Sequence, residues 1–151
     1  MICGIGDSEQ AIKDAVKDDS RITFLGQLPR NEVIEWQKKA TVLVNPRQNN
    51  EEFTKYSFPS KTMEYLSSGI PVVAYKLDGI PDEYDQYIQY VADDSIESLK
   101  KKLVEVCEMT REERQELGNI GRNFVLMKKT VRFRCVKFGH WLMKCCKSRM
   151  A

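Results

Sequence analysis

The residue types best suited to chemistry stand close together in Ser60-Lys61-Thr62-Met63-Glu64. Ser60, Lys61 and Glu64 fall at i, i+1 and i+4, so a helix places hydroxyl, cation and carboxylate on one face. A helix N-terminus presents N–H groups and a partial positive charge, which suits an anion such as phosphate. Ser60 and Lys61 add a donor and a cation at that end. Glu64, one turn further in, can accept hydrogen bonds from a diol. A nucleoside diphosphate carries both groups. The same residues could instead be a capping serine and a Lys61–Glu64 surface pair worth roughly 0.2–0.5 kcal/mol. Their types alone leave both readings open.

Holding these groups in place requires a helix with defined ends. Pro59 fits a first helical turn, where its missing N–H has no partner to lose. Gly69 stands where a helix takes a left-handed terminator, and Pro71 prevents continuation. Met63, Leu66 and Ile70 form the opposite, core-directed stripe. Ile70 to Ala74 is a short apolar run with β-branched residues, which predicts a parallel strand covered on both faces.

The flanking chain alternates strands and helices. Met1–Cys3 predicts a strand end, and Gly4-Ile5-Gly6 a tight turn into a helix over 8–18 with Ala11, Ile12, Ala15 and Val16 inward. The glycine pair lacks a third glycine at fingerprint spacing and a downstream acid, which excludes a dinucleotide site. Ile22–Leu25 predicts a strand, Gly26–Pro29 its exit loop, and Arg30 the start of a helix with Val33, Ile34 and Trp36 as apolar contacts. Thr41–Val44 predicts a third buried strand, followed by a polar loop long enough to suggest function. Ile88–Val91 predicts the last strand. Asp94-Ser95 caps a helix reaching Glu108, with Ile96, Leu99, Leu103, Val104 and Val106 apolar. Thr110 and Glu113 form a capping box for a helix reaching Leu126. The fold class is therefore α/β, a Rossmann-like parallel sheet flanked by helices. Its carboxyl-edge loops, Gly4–Asp7, Gly26–Pro29, Asn45–Phe58 and Asp78–Glu83, are expected to gather around the N-terminus of the helix at Ser60.

The run Phe58-Pro59-Ser60-Lys61-x-x-Glu64-Tyr65, followed by Gly69-Ile70-Pro71-Val72-Val73, resembles the signature helix of GT-B glycosyltransferases of the retaining group 1, or family 4, type. The Asp78-Gly79-Ile80-Pro81-Asp82 loop is similar to that family's G-G-I-P-E loop, and Gly26-Gln27-Leu28 to the loop bordering the nucleotide base. The resemblance runs from residue 1 to 92, with a further likeness in Thr110–Arg122. It implies the C-terminal, nucleotide-sugar-binding half of a GT-B enzyme, truncated at its first strand-helix segment and lacking its N-terminal acceptor domain. Glu64 would bind the ribose, with Ser60 at the diphosphate end and Lys61 as catalytic cation. Gly26, Leu28, Gly79 and Ile80 would complete the donor site. The donor would be a nucleoside-diphosphate sugar, with no metal or other cofactor, and the acceptor a saccharide or lipid-linked saccharide. A fragment of this kind would bind nucleotide weakly and would not turn over alone. One departure is Tyr56, where the family often carries an acid beside the donor sugar; spacing does not say whether Glu51 or Glu52 substitutes. Two other readings stay open: a sugar-nucleotide epimerase half on the same architecture, and a non-catalytic nucleotide-binding or docking domain.

Composition bounds these readings. The chain has 151 residues, 30% charged and 42% hydrophobic, with a formal net charge of +2. It has no apolar run long enough to span a bilayer and no signal peptide. Five cysteines without a C-x-x-C pair point to reduced thiols and a cytoplasmic setting. Charge is uneven. Residues 128–151 carry eight Lys/Arg and no acid, which leaves sixteen basic against twenty-two acidic residues in 1–127. We assign 1–127 to the nucleotide-sugar-binding domain and 128–151 to a basic, aromatic, helical tail. That tail suits the anionic inner face of a membrane or docking against a neighbouring domain; without a recognised nucleic-acid-binding module around it, a nucleic-acid partner is not expected. Cys135, His140 and Cys145 lack the close C-x2-C pair of zinc sites, so no metal is expected there. One histidine and no triad partners argue against a hydrolytic nucleophile.

Overall fold

The computed structural model describes residues 1–49 and 60–129. They fall in two compact units divided after Lys39. Glu51, Glu52, Tyr56, Phe58 and Pro59, and the tail beyond Lys129, lie outside the described residues.

The first unit holds helices α1 (Glu9–Asp18) and α2 (Arg30–Lys39). The strands expected at Met1–Cys3 and Ile22–Leu25 shrink to one parallel bridge between Ile2 and Phe24. Ile2 N–H donates to Thr23 O (2.8 Å), and Leu25 N–H to Ile2 O (2.9 Å). Two strand segments of which one, Ile2, is exposed bury too little to extend the ladder. In α1, Ile12, Ala15 and Val16 are half-buried, whereas Ala11 is exposed. In α2 the inward positions are Val33, Ile34 and Gln37, not Trp36. Residues 33, 34 and 37 share a face at i, i+1 and i+4, and Trp36 lies roughly 100° from that face's centre. The exposed indole is covered instead by Lys39, whose Nζ lies 5.3 Å from the ring centroid.

The second unit is the α/β layer. Its strands are β1 (Leu43–Asn45), β2 (Val72–Ala74) and β3 (Gln89–Tyr90), paired in parallel in the order β1-β2-β3. Leu43 is in register with Val72, and Ala74 with both Asn45 and Tyr90. Helix α3 (Ser60–Ser68) joins β1 to β2, and a 3-10 turn (Asp82–Tyr84) lies between β2 and β3. Helices α4 (Ile96–Glu108) and α5 (Arg111–Phe124) follow, and a π turn (Val125–Lys129) continues α5.

Because side chains alternate along a strand, β2 feeds two cores. Val72 and Ala74 pack with Leu66, Leu77, Ile80, Tyr84, Ile88 and Phe124 on one face. Val73 and Tyr75 pack with Val91 and Val106 on the other. Burial on both faces is what a central parallel strand requires. Leu99, Leu103 and Val106 turn α4 toward the second core, while Val104 and Ile96 point outward. On the first face, Tyr87 stacks on Phe124 with centroids 4.2 Å apart, and Tyr84 meets the same ring edge-on at 5.0 Å.

Helix α5 approaches α3 through two glycines. A Cβ on Gly118 would stand 1.9 Å from Gly69 O, and one on Gly121 would stand 2.9 Å from Leu66 Cδ2. Gly69 takes φ +80°, the left-handed stop expected after α3.

The capping box at Thr110 is complete. Glu113 N–H donates to Thr110 Oγ1 (3.2 Å), and Thr110 N–H donates to the Glu113 carboxylate (2.7 Å). The Thr110 N–H, joined by the Thr110 hydroxyl (2.9 Å), donates to that carboxylate and holds the Glu113 pKa below the ordinary carboxylate value. A carboxylate depressed in the folded state contributes stability above its unfolded pKa and loses it as pH falls through the folded value. Thr110→Ala should cost about 1 kcal/mol at neutral pH in chemical denaturation. The gap from wild type should narrow only in part as pH falls below the ordinary glutamate range, because the bond from Glu113 N–H to Thr110 Oγ1 does not titrate while the one from Thr110 Oγ1 to the carboxylate does; a gap that widens in acid would refute the carboxylate's part in it.

Candidate functional site

In a parallel sheet the carboxyl ends of the strands share one edge, and the helix after each strand starts there. In the second unit that edge holds Asn45 at the end of β1, Lys76 to Asp78 beyond β2, and Tyr90 to Val91 at the end of β3. Helix α3 begins at the same edge. Asn45 Nδ2 donates to Thr62 Oγ1 at 3.3 Å, tying the end of β1 to the first turn of α3. Thr62 is fully buried, deeper than Leu66. Of the expected stripe, Leu66 is in the core, Met63 packs against it and Ile70 is half-buried; Thr62 joins Leu66 as the most deeply buried row.

Around that row the predicted polar residues emerge as a group. Ser60 and Lys61 are exposed at the first two positions of α3, and Glu64 is half-buried one turn on. The first turn has no acid of its own to compete for its N–H groups. A hydroxyl, an ammonium and a carboxylate therefore line one side of a helix start anchored from beneath. That arrangement can receive an anion at the N-terminus and a hydroxyl-bearing group at Glu64.

The turn after β2 lies against the same helix. Tyr84 Oη donates to Met63 Sδ at 3.3 Å. Asn49 donates to Lys76 O and Asp78 Oδ1 (both 3.2 Å) and accepts from Asp78 N–H (3.3 Å). Within this turn Gly79 is half-buried and Ile80 is 3% exposed in the core. Ile80 N–H donates to Leu77 O at 2.9 Å. What Ile80 offers a ligand is therefore main chain and not side chain. Gly26 and Leu28 lie in the first unit, where Gly26 takes φ +62° and its carbonyl accepts from Gly4 N–H at 2.8 Å.

At the ends of β2 and β3 sits a second polar group. The Lys76 ammonium pairs with Asp85 and, at 3.4 Å, with Asp82, and lies 5.1 Å from the Tyr90 ring centroid. Burial opposes the charged ammonium, but the two carboxylates outweigh it and raise the Lys76 pKa. Burial, reinforced by the charges of Asp85 and Asp82, pushes the Tyr90 phenol far up.

The family model for glycosyl transferases group 1 matches residues 1–109, from the first turn to the end of α4. The chain belongs to the group 1 glycosyltransferases. No curated protein matches it. The glycosyltransferase match covers α3, the turn after β2 and every strand of the sheet. Among the described residues no cluster of histidine, cysteine and acidic side chains forms a metal-holding group. No described helix is long and apolar enough to cross a membrane.

Sequence reasoning missed Asn45, Thr62, Asn49 and Lys76 as the residues that fix the walls of this edge. For Thr62 a signal existed: it stands four residues before Leu66 and so on the same helix row. Its hydroxyl makes it read as a solvent position instead. The Asn49 and Lys76 contacts link residues 6 to 29 positions apart, and no local pattern announces them.

Proposed function

We propose that this glycosyltransferase chain is the donor-binding part of a retaining, GT-B-type enzyme, moving a sugar from a nucleoside-diphosphate sugar to a saccharide or lipid-linked acceptor. The observation that carries the reading is the start of α3. Ser60, Lys61 and Glu64 line one helix side at the carboxyl edge of a parallel sheet, held there by the buried Thr62–Asn45 contact.

The difficult event in such a transfer is departure of the nucleoside diphosphate, which gathers negative charge on its phosphates. Donors fixed before the reaction stabilise that charge without reorganising. The Lys61 ammonium and the N–H groups of the first turn would do this, with Ser60 adding a hydroxyl donor. The Glu64 carboxylate would accept hydrogen bonds from the ribose hydroxyls and set the nucleotide's register along the helix. The turn holding Gly79 and Ile80 would border the donor with its main chain. The assignment of Gly26 and Leu28 to the base rests on the sequence resemblance, and placement of the basic tail on an anionic membrane at the cytoplasmic face rests on its composition.

The test is a titration with UDP and GDP followed by NMR amide shifts, with Glu64→Ala as control. Shifts at Ser60, Lys61, Glu64 and the 78–83 turn, weakened in the variant, would support donor binding. Shifts confined to other surfaces would overturn it.

A further inference from the structure

Four acids, Asp78, Asp82, Glu83 and Asp85, stand in the short turn after β2. If that turn borders an anionic donor, uncompensated carboxylates there would repel it. Lys76 is two residues beyond β2, and its ammonium meets two of the four, Asp85 and Asp82. Its charge also sits over the ring of Tyr90, the last residue of β3, at 5.1 Å. One cation therefore joins the end of β2, the 3-10 turn and the end of β3. From its other side the same turn is held to α3 by Tyr84 and Met63. An ordinary exposed ion pair adds little to stability. Lys76 differs in having three partners, two in the turn and one at the end of β3, with its side chain 38% exposed.

We propose that Lys76 is a positioning residue for the donor site: it pins the Asp82–Asp85 turn to the sheet edge and neutralises two of its carboxylates toward the donor's phosphates. This rests on the donor-binding reading above.

Lys76→Met keeps the apolar stem over Tyr90 and removes the charge, while Lys76→Arg keeps the charge. Both are compared with wild type by thermal melting, by amide hydrogen exchange of residues 79–87 without ligand, and by UDP titration. Lys76→Met should melt close to wild type, exchange faster in the turn and bind UDP roughly five- to tenfold more weakly. Lys76→Arg should restore both exchange and affinity. Should Lys76→Met fail to fold, Asp85→Asn removes the main partner and should reproduce the faster exchange.

Wild-type UDP binding with unchanged affinity in Lys76→Met would overturn this proposal and leave the donor reading standing. Weakened binding with unchanged turn exchange would also overturn it, since Lys76 would then act on the ligand directly. A wild-type chain that binds neither UDP nor GDP would overturn the donor reading and the positioning role together.

Discussion

Gly118→Ala should lower the stability of the second unit by about 2 kcal/mol or more, seen as a fall of roughly 10 °C in Tm. Two effects oppose each other. Alanine is the better helix former by about 1 kcal/mol, so in an open helix the change would stabilise α5. Here the new methyl would stand 1.9 Å from Gly69 O and 2.5 Å from Gly69 C. Both are backbone atoms of the turn that ends α3, and Gly69 is held at φ +80°. Neither can swing aside as a side chain does, so α5 must lift away and uncover the Leu66 and Phe124 contacts. The clash outweighs the propensity gain. Gly121→Ala is the control, because its methyl would crowd the end of Leu66, Cδ2, at 2.9 Å, while Tyr87 O and Cβ stand at ordinary contact distances of 3.8 and 3.9 Å. A flexible leucine can adjust, and the propensity gain offsets much of the cost. Circular-dichroism melts of the two variants should therefore separate clearly. A Gly118→Ala protein melting with wild type would show that α5 does not approach the turn so closely.

Lys61→Ala and Glu64→Ala should weaken nucleotide binding in different ways. Lys61 stands at the anion end of α3 and Glu64 one turn inward. Removing the cation should weaken UDP about tenfold, less so at high salt, and leave uridine nearly unchanged. Removing the carboxylate should weaken UDP and uridine alike by about 10- to 100-fold, since hydrogen bonds to a charged group contribute about 1.5–3 kcal/mol. NMR titrations with UDP and uridine, at two salt concentrations, separate the cases. Equal weakening of uridine in Lys61→Ala would refute the division of roles.

Local structure could be read from the sequence because local physics decides it. The stop at Gly69, the capping box at Thr110 and the apolar run at Val72–Ala74 each depend on residues within a few positions. Each stands in the structure as its residue types require. Helix faces were read less well. Trp36 and Val104 are apolar yet exposed, because inward residues are chosen by which side of the helix meets its neighbours. Hydrophobicity alone does not choose that side. Short strands fared similarly. Ile2 and Phe24 make only a bridge because a ladder needs buried neighbours on its flanks, which local sequence does not supply.

For the candidate site the division is the same. Ser60, Lys61 and Glu64 share a helix side by spacing, so the chain alone determined what chemistry could be offered at one edge. The tertiary structure decided what holds that chemistry still. It buried Thr62 under Asn45, set Asn49 on Asp78, and drew Lys76 to Asp85 and Tyr90. Those contacts join segments far apart in the chain, and their partners are chosen by the crossing of parallel strands. Helical spacing can place three groups on one side, but only long-range packing can fix that side against a sheet.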